Sequence, residues 1–519
     1  MKYQLLIAAL IAGSAMQLTS CSRSTHDSED NKLVILHTND THSQILPDLN
    51  DKGGVLRRMA VIDSIRQANQ NVLLIDAGDA VQGTLFFYLY GGHTEQELLN
   101  AMDVDIRVLG NHEFDNGIDS LAAVWSKSKS EKLASNYDLS ATPLKSQFKS
   151  YTIRQVGDKR VGFIGINLDP EGMIAKGNYD GLEFKPIIET ANDLAERLRR
   201  DEKADIVVAV SHIGYAPGGL VGDSILALNS RGIDIIIGGH SHDTIDPTTA
   251  EGERRSHLRN LDNRPVLVVQ TGKAGRKLGK IEIDLDKLGA DTYPAYELIN
   301  IDSRYDSYTN PAITDIIDRY SPGVDSLMHD WITTTTHAID NKDPEILNFF
   351  SDYILARGKE LAPDVDFAIT NVGGIRTALP AGRVSKGHII NMLPFRNYIT
   401  VIDVPGEYLE DALDVMASRG GDGVSGNVKA TFKWDGKGDG EVESFIINGK
   451  EFDDDRTYRI ATIDYLANGG DYMTGLTHGT VVARSTVPLY DDLIEYLTTG
   501  PGANKPISAS PESRWTRVK

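Results

Sequence analysis

Short, uninterrupted apolar runs that each end in a cluster of Asp, Asn, His and Gly constrain this chain most. Leu33-Val34-Ile35-Leu36 runs into His37-Thr38-Asn39-Asp40-Thr41-His42, and Val72-Leu73-Leu74-Ile75 into Asp76-Ala77-Gly78-Asp79. Ile106 and Val108 lead into Leu109-Gly110-Asn111-His112-Glu113-Phe114-Asp115. Ile206-Val207-Val208-Ala209-Val210 ends in Ser211-His212, and Ile233-Asp234-Ile235-Ile236-Ile237 in Gly238-Gly239-His240-Ser241-His242. A run that is apolar at every position is a strand buried on both faces, which belongs to a largely parallel α/β sheet. Such a sheet keeps its chemistry at the carboxyl ends of its strands.

Any one of these clusters reads equally well as a polar turn whose side chains satisfy nearby backbone groups. The turn reading has to be repeated at five successive strand ends. A set of metal ligands explains all five at once, because Asp40 and His42, two apart in extended chain, project to one side and can grip one ion. Asp79 follows a glycine that lets the backbone turn, so its carboxylate can bridge two cations. His112 can give or take a proton, and Asp115, three residues on, can orient it.

The remaining regularities fill in a fold. Gly53 to Asn69 has helical spacing in Val55, Met59, Ile62 and Ile65. Pro265 to Gln270 and Leu278 to Leu285 read as strands that complete a second sheet. Asp302 to Ser326, with Pro311 at a helix start, reads as a connecting helix, Pro344 to Leu361 as an amphipathic helix and Phe367-Ala368-Ile369 as a strand.

The formal charge of −21 over 519 residues, with no basic run or basic aromatic stripe, excludes the electrostatic footprint of a nucleic-acid-polymer binder. A small anionic substrate is compatible with it if metals and a few arginines reverse the field locally. The first twenty residues combine Lys2, an apolar stretch from Leu5 to Ala12 and small polar residues, as an export signal does. Leu18-Thr19-Ser20-Cys21 resembles a bacterial lipoprotein cleavage box, and Cys21 is the only cysteine in the sequence. The expectation is a signal peptide over 1–20, a lipid anchor on Cys21 with a polar tether over 21–31, and attachment to the outer membrane of a Gram-negative cell.

Taken in order, Asp-x-His, Gly-Asp, Gly-Asn-His-Glu, a single His after a strand and Gly-Gly-His-x-His resemble the calcineurin-like metallophosphoesterases. The fuller Gly-Asn-His-Glu-Phe-Asp, with its Asn-Asp-Thr-His opening, is similar to the 5′-nucleotidase / UDP-sugar hydrolase family of bacteria and animals. The resemblance implies an α/β fold: an N-terminal α/β/β/α sandwich over 32–302, a connecting helix over 303–330 and an α+β substrate-recognition domain over 331–519. It implies two divalent metal ions, of which zinc, manganese or iron suits mixed imidazole and oxygen ligands. Asp40, His42 and His242 resemble the ligands of one, Asn111, His212 and His240 those of the other, with Asp79 between them. At the position of His242 the family also uses Gln. His112 and Asp115 take the role of a catalytic dyad at the phosphoryl group.

In the second half, Asn371-Val372-Gly373-Gly374-Ile375-Arg376, Met392-Leu393-Pro394-Phe395 and Asn468-Gly469-Gly470-Asp471 look like the nucleotide-recognising domain of the same family. By that analogy Arg376 meets the anionic groups of the substrate, Asn371 helps to place the base, Phe395 stacks on it, and Gly373, Gly374, Asp471 and Tyr472 complete the pocket. Two departures stand out. The aromatic residue usual after Gly-Gly-Asp-Gly is missing, and the chain reads Gly470-Asp471-Tyr472-Met473, which leaves open whether Tyr472 or Met473 takes its place. Thr333 to Pro344 lacks the usual arginines and offers only His337 and Lys342. The implied reaction is hydrolysis of a 5′-nucleotide to nucleoside and phosphate, with a UDP-sugar, a cyclic nucleotide or another phosphoester as alternative substrate.

Overall fold

The computed structural model describes residues 31–216, 220–287, 291–436 and 440–518. The expected signal peptide and Cys21 lie outside these residues.

Two six-stranded sheets build the first half. In chain order their strands are β1 (Lys32–Thr38), β2 (Val72–Asp76), β3 (Ile106–Val108), β4 (Glu131–Leu133), β5 (Tyr151–Val156), β6 (Lys159–Asn167), β7 (Ile206–His212), β8 (Ile235–Ile237), β9 (His257–Arg259), β10 (Pro265–Val269), β11 (Lys277–Asp284) and β12 (Ala295–Asn300). The first sheet runs β12-β11-β1-β2-β3-β4 and the second β9-β10-β8-β7-β6-β5. β1, β2 and β3 are parallel, as are β6, β7, β8 and β10, so their carboxyl ends lie on one side.

The apolar runs are buried on both faces for a visible reason. Leu33 and Ile35 of β1 point between the sheets with Ile206, Val208 and Val210 of β7. The alternate residues Val34 and Leu36 point outward to the helix Val55–Ala68, while Val207 and Ala209 meet the helix Ile187–Arg200. The result is helix, sheet, sheet, helix.

One strand assignment is corrected. β11 does not complete the second sheet; it pairs antiparallel with β1, Lys32 opposite Asp284, in the first. Its alternation, Ile281 and Ile283 inward and Leu278 outward, specifies a strand with one face in the intersheet core without specifying which sheet receives it. The β8 strand begins at Ile235, two residues into its apolar run, just after Asp234, whose carboxylate accepts from Val207 N at 2.8 Å.

The second half has a five-stranded sheet built from β13 (Phe367–Thr370), β14 (Ile399–Pro405), β15 (Gly423–Val424), β16 (Thr457–Ile463) and β17 (Thr480–Arg484), in the order β15-β13-β16-β14-β17. The helix Pro344–Leu361 covers it, with the span its sequence predicts. The helix Pro311–Met328 joins the halves; Asn310 Oδ1 caps it by accepting from Ile313 N at 3.3 Å. It is no free linker. Tyr90 donates to Tyr320 O at 2.8 Å, Arg319 pairs with Glu97 at 2.7 Å, and one apolar cluster continues from Leu85 and Leu98 through Ile313 to Phe350. Among the described residues no helix is long and apolar enough to cross a membrane.

Candidate dimetal and substrate site

The loops that follow β1, β2, β3, β7, β8 and β10 meet at the carboxyl edge of the two sheets. They are zipped together by their backbones: Ala77 N donates to Thr38 O at 2.8 Å, Asp40 N to Gly78 O at 2.9 Å and His42 N to Asp79 O at 3.0 Å. The loops are also strained. Asp40, His42, Asp79, His240 and His242 all have positive φ, between 47° and 76°. A non-glycine residue pays for that conformation, and five such residues at one point mark a site whose geometry the surrounding fold over-determines.

Three overlapping groups of side chains result, one of them His42, Asp79 and His112. Asp40, His42 and His242 lie together, and Asp79, His212 and His240 lie beside them, each trio with ligand atoms within 4.8 Å of one another. His42 Nε2 and His242 Nε2 are 2.9 Å apart, and His240 Nδ1 is 2.9 Å from Asn111 Oδ1. Ligands about 2.1 Å from one ion and a right angle apart sit roughly 3 Å from each other, so these spacings fit coordination. His212 donates from Nδ1 to Ala77 O at 2.7 Å, which turns Nε2 toward Asp79 Oδ2 at 3.1 Å without a hydrogen-bond partner. A fully buried ring nitrogen left in that state is what a metal would satisfy. The buried Asp40 and Asp79 provide hard oxygen donors, and each trio mixes oxygen with imidazole. The structure thus brings the seven residues Asp40, His42, Asp79, Asn111, His212, His240 and His242 into one cluster.

Two glycines make the approach possible. A Cβ on Gly110 would lie 2.1 Å from Asp79 Oδ1, and one on Gly239 would lie 2.8 Å from His212 Nδ1.

His112 sits at the edge of this cluster. Its backbone N–H donates to Asp79 Oδ1 at 2.9 Å, and its Nδ1 is 3.0 Å from Asp115 Oδ2, leaving Nε2 4.0 Å from Asp79 Oδ2. Burial opposes a charged ring, but the carboxylates of Asp115 and Asp79 outweigh it and raise the His112 pKa above the ordinary imidazole value. The Asp115 carboxyl is itself raised by burial, with His112 pulling it the other way.

The second half closes over this edge. Phe395 stacks on His112 with ring centroids 5.7 Å apart, and the Arg376 guanidinium lies 5.7 Å from the Phe395 ring centroid. Arg376 also feels the charges of Asp79, Asp115, Asp40 and Asp471, so it reaches across from its own half to the ligand cluster. Gly373 and Gly374 form the tight turn Val372–Gly374, tied down where Val372 N donates to Asp422 Oδ1 at 2.8 Å. Asn371 donates to Asp471 Oδ2 at 2.6 Å, and Tyr465 OH to Asp471 Oδ1 at 3.0 Å. Asp471 N in turn donates to Gly172 O of the first half at 3.1 Å.

The question left by Tyr472-Met473 divides cleanly. Met473 is fully buried in the core of the second half, so it has no surface for a base. Tyr472, at φ 60° and 38% exposed, presents its ring beside Gly172.

Comparison with known proteins now bears on this arrangement. Residues 33–244 match the calcineurin-like phosphoesterases, and residues 327–478 match the 5′-nucleotidase C-terminal domain. The chain is a calcineurin-like phosphoesterase joined to a 5′-nucleotidase C-terminal domain. It is 28% identical over 499 residues to the trifunctional nucleotide phosphoesterase YfkN of Bacillus subtilis, an alignment that takes in 86% of this chain and only 33% of that much longer protein. It is 27% identical to human 5′-nucleotidase over 488 residues, 85% of this chain and 83% of the human one. Among solved structures, a 5′-nucleotidase precursor from Thermus thermophilus superposes with a TM-score of 0.80 at 25% identity, covering 94% of this chain and 99% of that one. The phosphoesterase is accordingly a metal-dependent phosphoric ester hydrolase, and its family works with two divalent metal ions.

Two residues of this phosphoesterase matter to the site without having been singled out in the sequence. Glu113 accepts from Gly110 N at 2.6 Å, Asp79 N at 3.0 Å and Ala80 N at 3.0 Å, and so splices the β2 and β3 loops. Asn39 donates to Asp40 Oδ2 at 2.6 Å and accepts from Thr271 N at 2.9 Å, fixing the Asp40 carboxylate against the β10 loop. Both stand inside the motifs already noted, and their long-range partners are what the sequence does not disclose.

Proposed function

We propose that this enzyme hydrolyses 5′-nucleotides to nucleoside and phosphate. The observation that carries the reading is the closure of Arg376 and Phe395 onto the His112 edge of the ligand cluster, which puts an aromatic face and a guanidinium where a nucleotide's base and phosphate need them.

In this reading Asp40, His42 and His242 would hold one metal and Asn111, His212 and His240 the other, with Asp79 available to both. When bound, the pair supplies Lewis acidity toward the phosphoryl oxygens and an activated water at neutral pH. The residues do the rest. His112, kept protonated by Asp115, presents a positive N–H from Nε2 to the charge that develops on the phosphoryl group. Arg376 binds the same anion and Phe395 stacks on the base. Asn371, Gly373, Gly374 and Asp471 shape the pocket edge, and Tyr472 is the ring that faces the base from the other side. We take 32–302 as the catalytic domain, 303–330 as the connector and 331–519 as the recognition domain.

The absence of arginines from Thr333 to Pro344 favours a second reading on the same core, with a UDP-sugar, a cyclic nucleotide or another phosphoester as substrate. Metal-dependent hydrolysis of AMP, UDP-glucose, cyclic AMP and an aryl phosphate, followed chromatographically as loss of substrate because the pyrophosphate and cyclic diester yield monoesters rather than phosphate, with and without chelator, separates the two. Metal-dependent loss that is fastest for AMP supports the first, and indifference to AMP overturns it. Replacing Tyr472 by Ala should raise KM for the nucleotide about tenfold while Tyr472→Phe does not.

The enzyme is, in the same proposal, an exported lipoprotein anchored through Cys21 to the outer membrane. Palmitate labelling that survives Cys21→Ser would sink that assignment.

A further inference from the structure

β7, β8 and β10 run side by side, with Ile237 opposite both Val210 and Val269. The residues that come next, Ser211, Gly238 and Gln270, therefore form a row across the carboxyl end of the second sheet. Alternation puts this row on the helix face of the sheet with Ala209, Ile236 and Val268. His212 instead follows Val208 and Val210 to the intersheet face, where the ligand cluster lies.

Asp223, the first residue of the helix Asp223–Asn229, lays its carboxylate across the row. Its Oδ1 accepts from Ser211 Oγ, and its Oδ2 accepts from Gln270 Nε2 at 3.1 Å. The second hydrogen of Gln270 Nε2 goes to Gly239 O at 3.1 Å. Between the two partners Gly238 has no side chain, and a Cβ there would collide with Asp223 Oδ2. Ser211, Asp223 and Gln270 are fully buried.

Aliphatic side chains fill the rest of this face, and each polar group set into it has to give up its water. What the three polar residues supply in return is direction, because hydrogen bonds fix positions that apolar packing leaves free to slide. They take hold of the chain at Ser211, one residue before His212, and at Gly239, one residue before His240. Those two histidines are assigned to the same metal.

Resting on that assignment, we propose that Asp223, Ser211 and Gln270 are positioning residues for one of the two metal sites. Held from behind, the ends of β7 and β8 keep His212 and His240 at the spacing that Asp79 and Asn111 complete. The other site takes Asp40 and His42 from the loop after β1, so it depends on this clasp far less.

Competition titration against a fluorescent chelator gives the two Mn²⁺ dissociation constants of the full chain, and His212→Ala shows which of them belongs to this site. Asp223→Ala and Gly238→Ala should each raise that constant about tenfold or more and leave the other within about twofold. Gly238→Ala acts by displacing Asp223, so the double variant should bind no more weakly than either single one. Asp223→Asn can still accept from Gln270 and donate to Ser211, and it should restore most of the affinity. Gly238→Ala carries the test if Asp223→Ala does not fold, as judged by circular dichroism and the melting temperature of the metal-free protein. A merely structural role would weaken both sites together, in step with a fall in that melting temperature, and this result overturns the proposal. Additive losses in the double variant, or no recovery in Asp223→Asn, overturn it as well. A loss in His212→Ala with none in Asp223→Ala and Gly238→Ala overturns the clasp and leaves the ligand assignment standing. Constants unchanged in all three bring both down.

Discussion

The Phe395 ring of the second domain lies nearly parallel to the His112 ring of the first, 27° between planes and 5.7 Å between centroids. The residue expected to stack on a base and the residue expected to touch the phosphoryl group are therefore neighbours across a domain boundary. A nucleotide entering the cleft must part them, with its base against one and its phosphate against the other. Phe395→Ala should raise KM for AMP about tenfold and leave KM for a small alkyl phosphate unchanged, since a base–ring stack is worth ~1–3 kcal/mol.

His112→Ala removes the charged donor without removing a ligand. Turnover should fall by about 10²–10³ while both metals remain bound, as measured by plasma mass spectrometry on the dialysed enzyme. Loss of metal with turnover would assign His112 to coordination instead.

Asp79 lies with His212 and His240 on one side and with His42 and His112 on the other, its Oδ2 3.1 Å from His212 Nε2 and its Oδ1 accepting from His112 N. Asp79→Asn should lower occupancy at both metals together, and chelation of the wild type should abolish phosphate release. A variant that loses one metal and keeps the other at full occupancy would argue against a bridging carboxylate.

Glu113 makes three hydrogen bonds to backbone N–H groups of two loops. Glu113→Ala leaves those donors buried and unpaired, which costs about 1–3 kcal/mol for each group that water cannot reach. The expected outcome is a lower melting temperature and weaker metal retention together. An unchanged melting temperature would remove Glu113 from this role.

Glu95 is buried in the helix His93–Ala101, and burial pushes its carboxyl up to about 7, with Ser43 pulling slightly the other way. Its folded pKa is above the unfolded value of 4.5, so between these two values the folded state holds the proton more tightly. Stability should fall as pH rises through this window and level off above it, by up to roughly 3 kcal/mol. Glu95→Gln should flatten that slope in denaturant titrations between pH 5 and pH 8. A wild-type slope of the opposite sign would show that Glu95 has a cationic partner.

The candidate site was legible to different depths. The ligand set could be read because each ligand sits two to six residues beyond an apolar run, and strand ends in a parallel sheet converge by topology alone. The His112–Asp115 pair could be read because three residues of a tight turn bring an imidazole and a carboxylate into contact wherever the turn is placed. The connecting helix was predicted from its spacing, yet its docking through Tyr320 to Tyr90 and Glu97 was not, since hydrogen-bonding partners more than 200 residues away leave no local pattern.

By itself, the sequence determined the strands, the loops that carry the ligands and the reaction class, because burial and short-range geometry act over a few residues and write themselves into periodicity and spacing. Only the tertiary structure decided which sheet received β11 and that Met473 belongs to the core while Tyr472 faces Gly172. Each of these depends on the packing of segments far apart in the chain. The free energy that settles them is the burial of one segment against another, a quantity that belongs to the pair and to neither sequence alone.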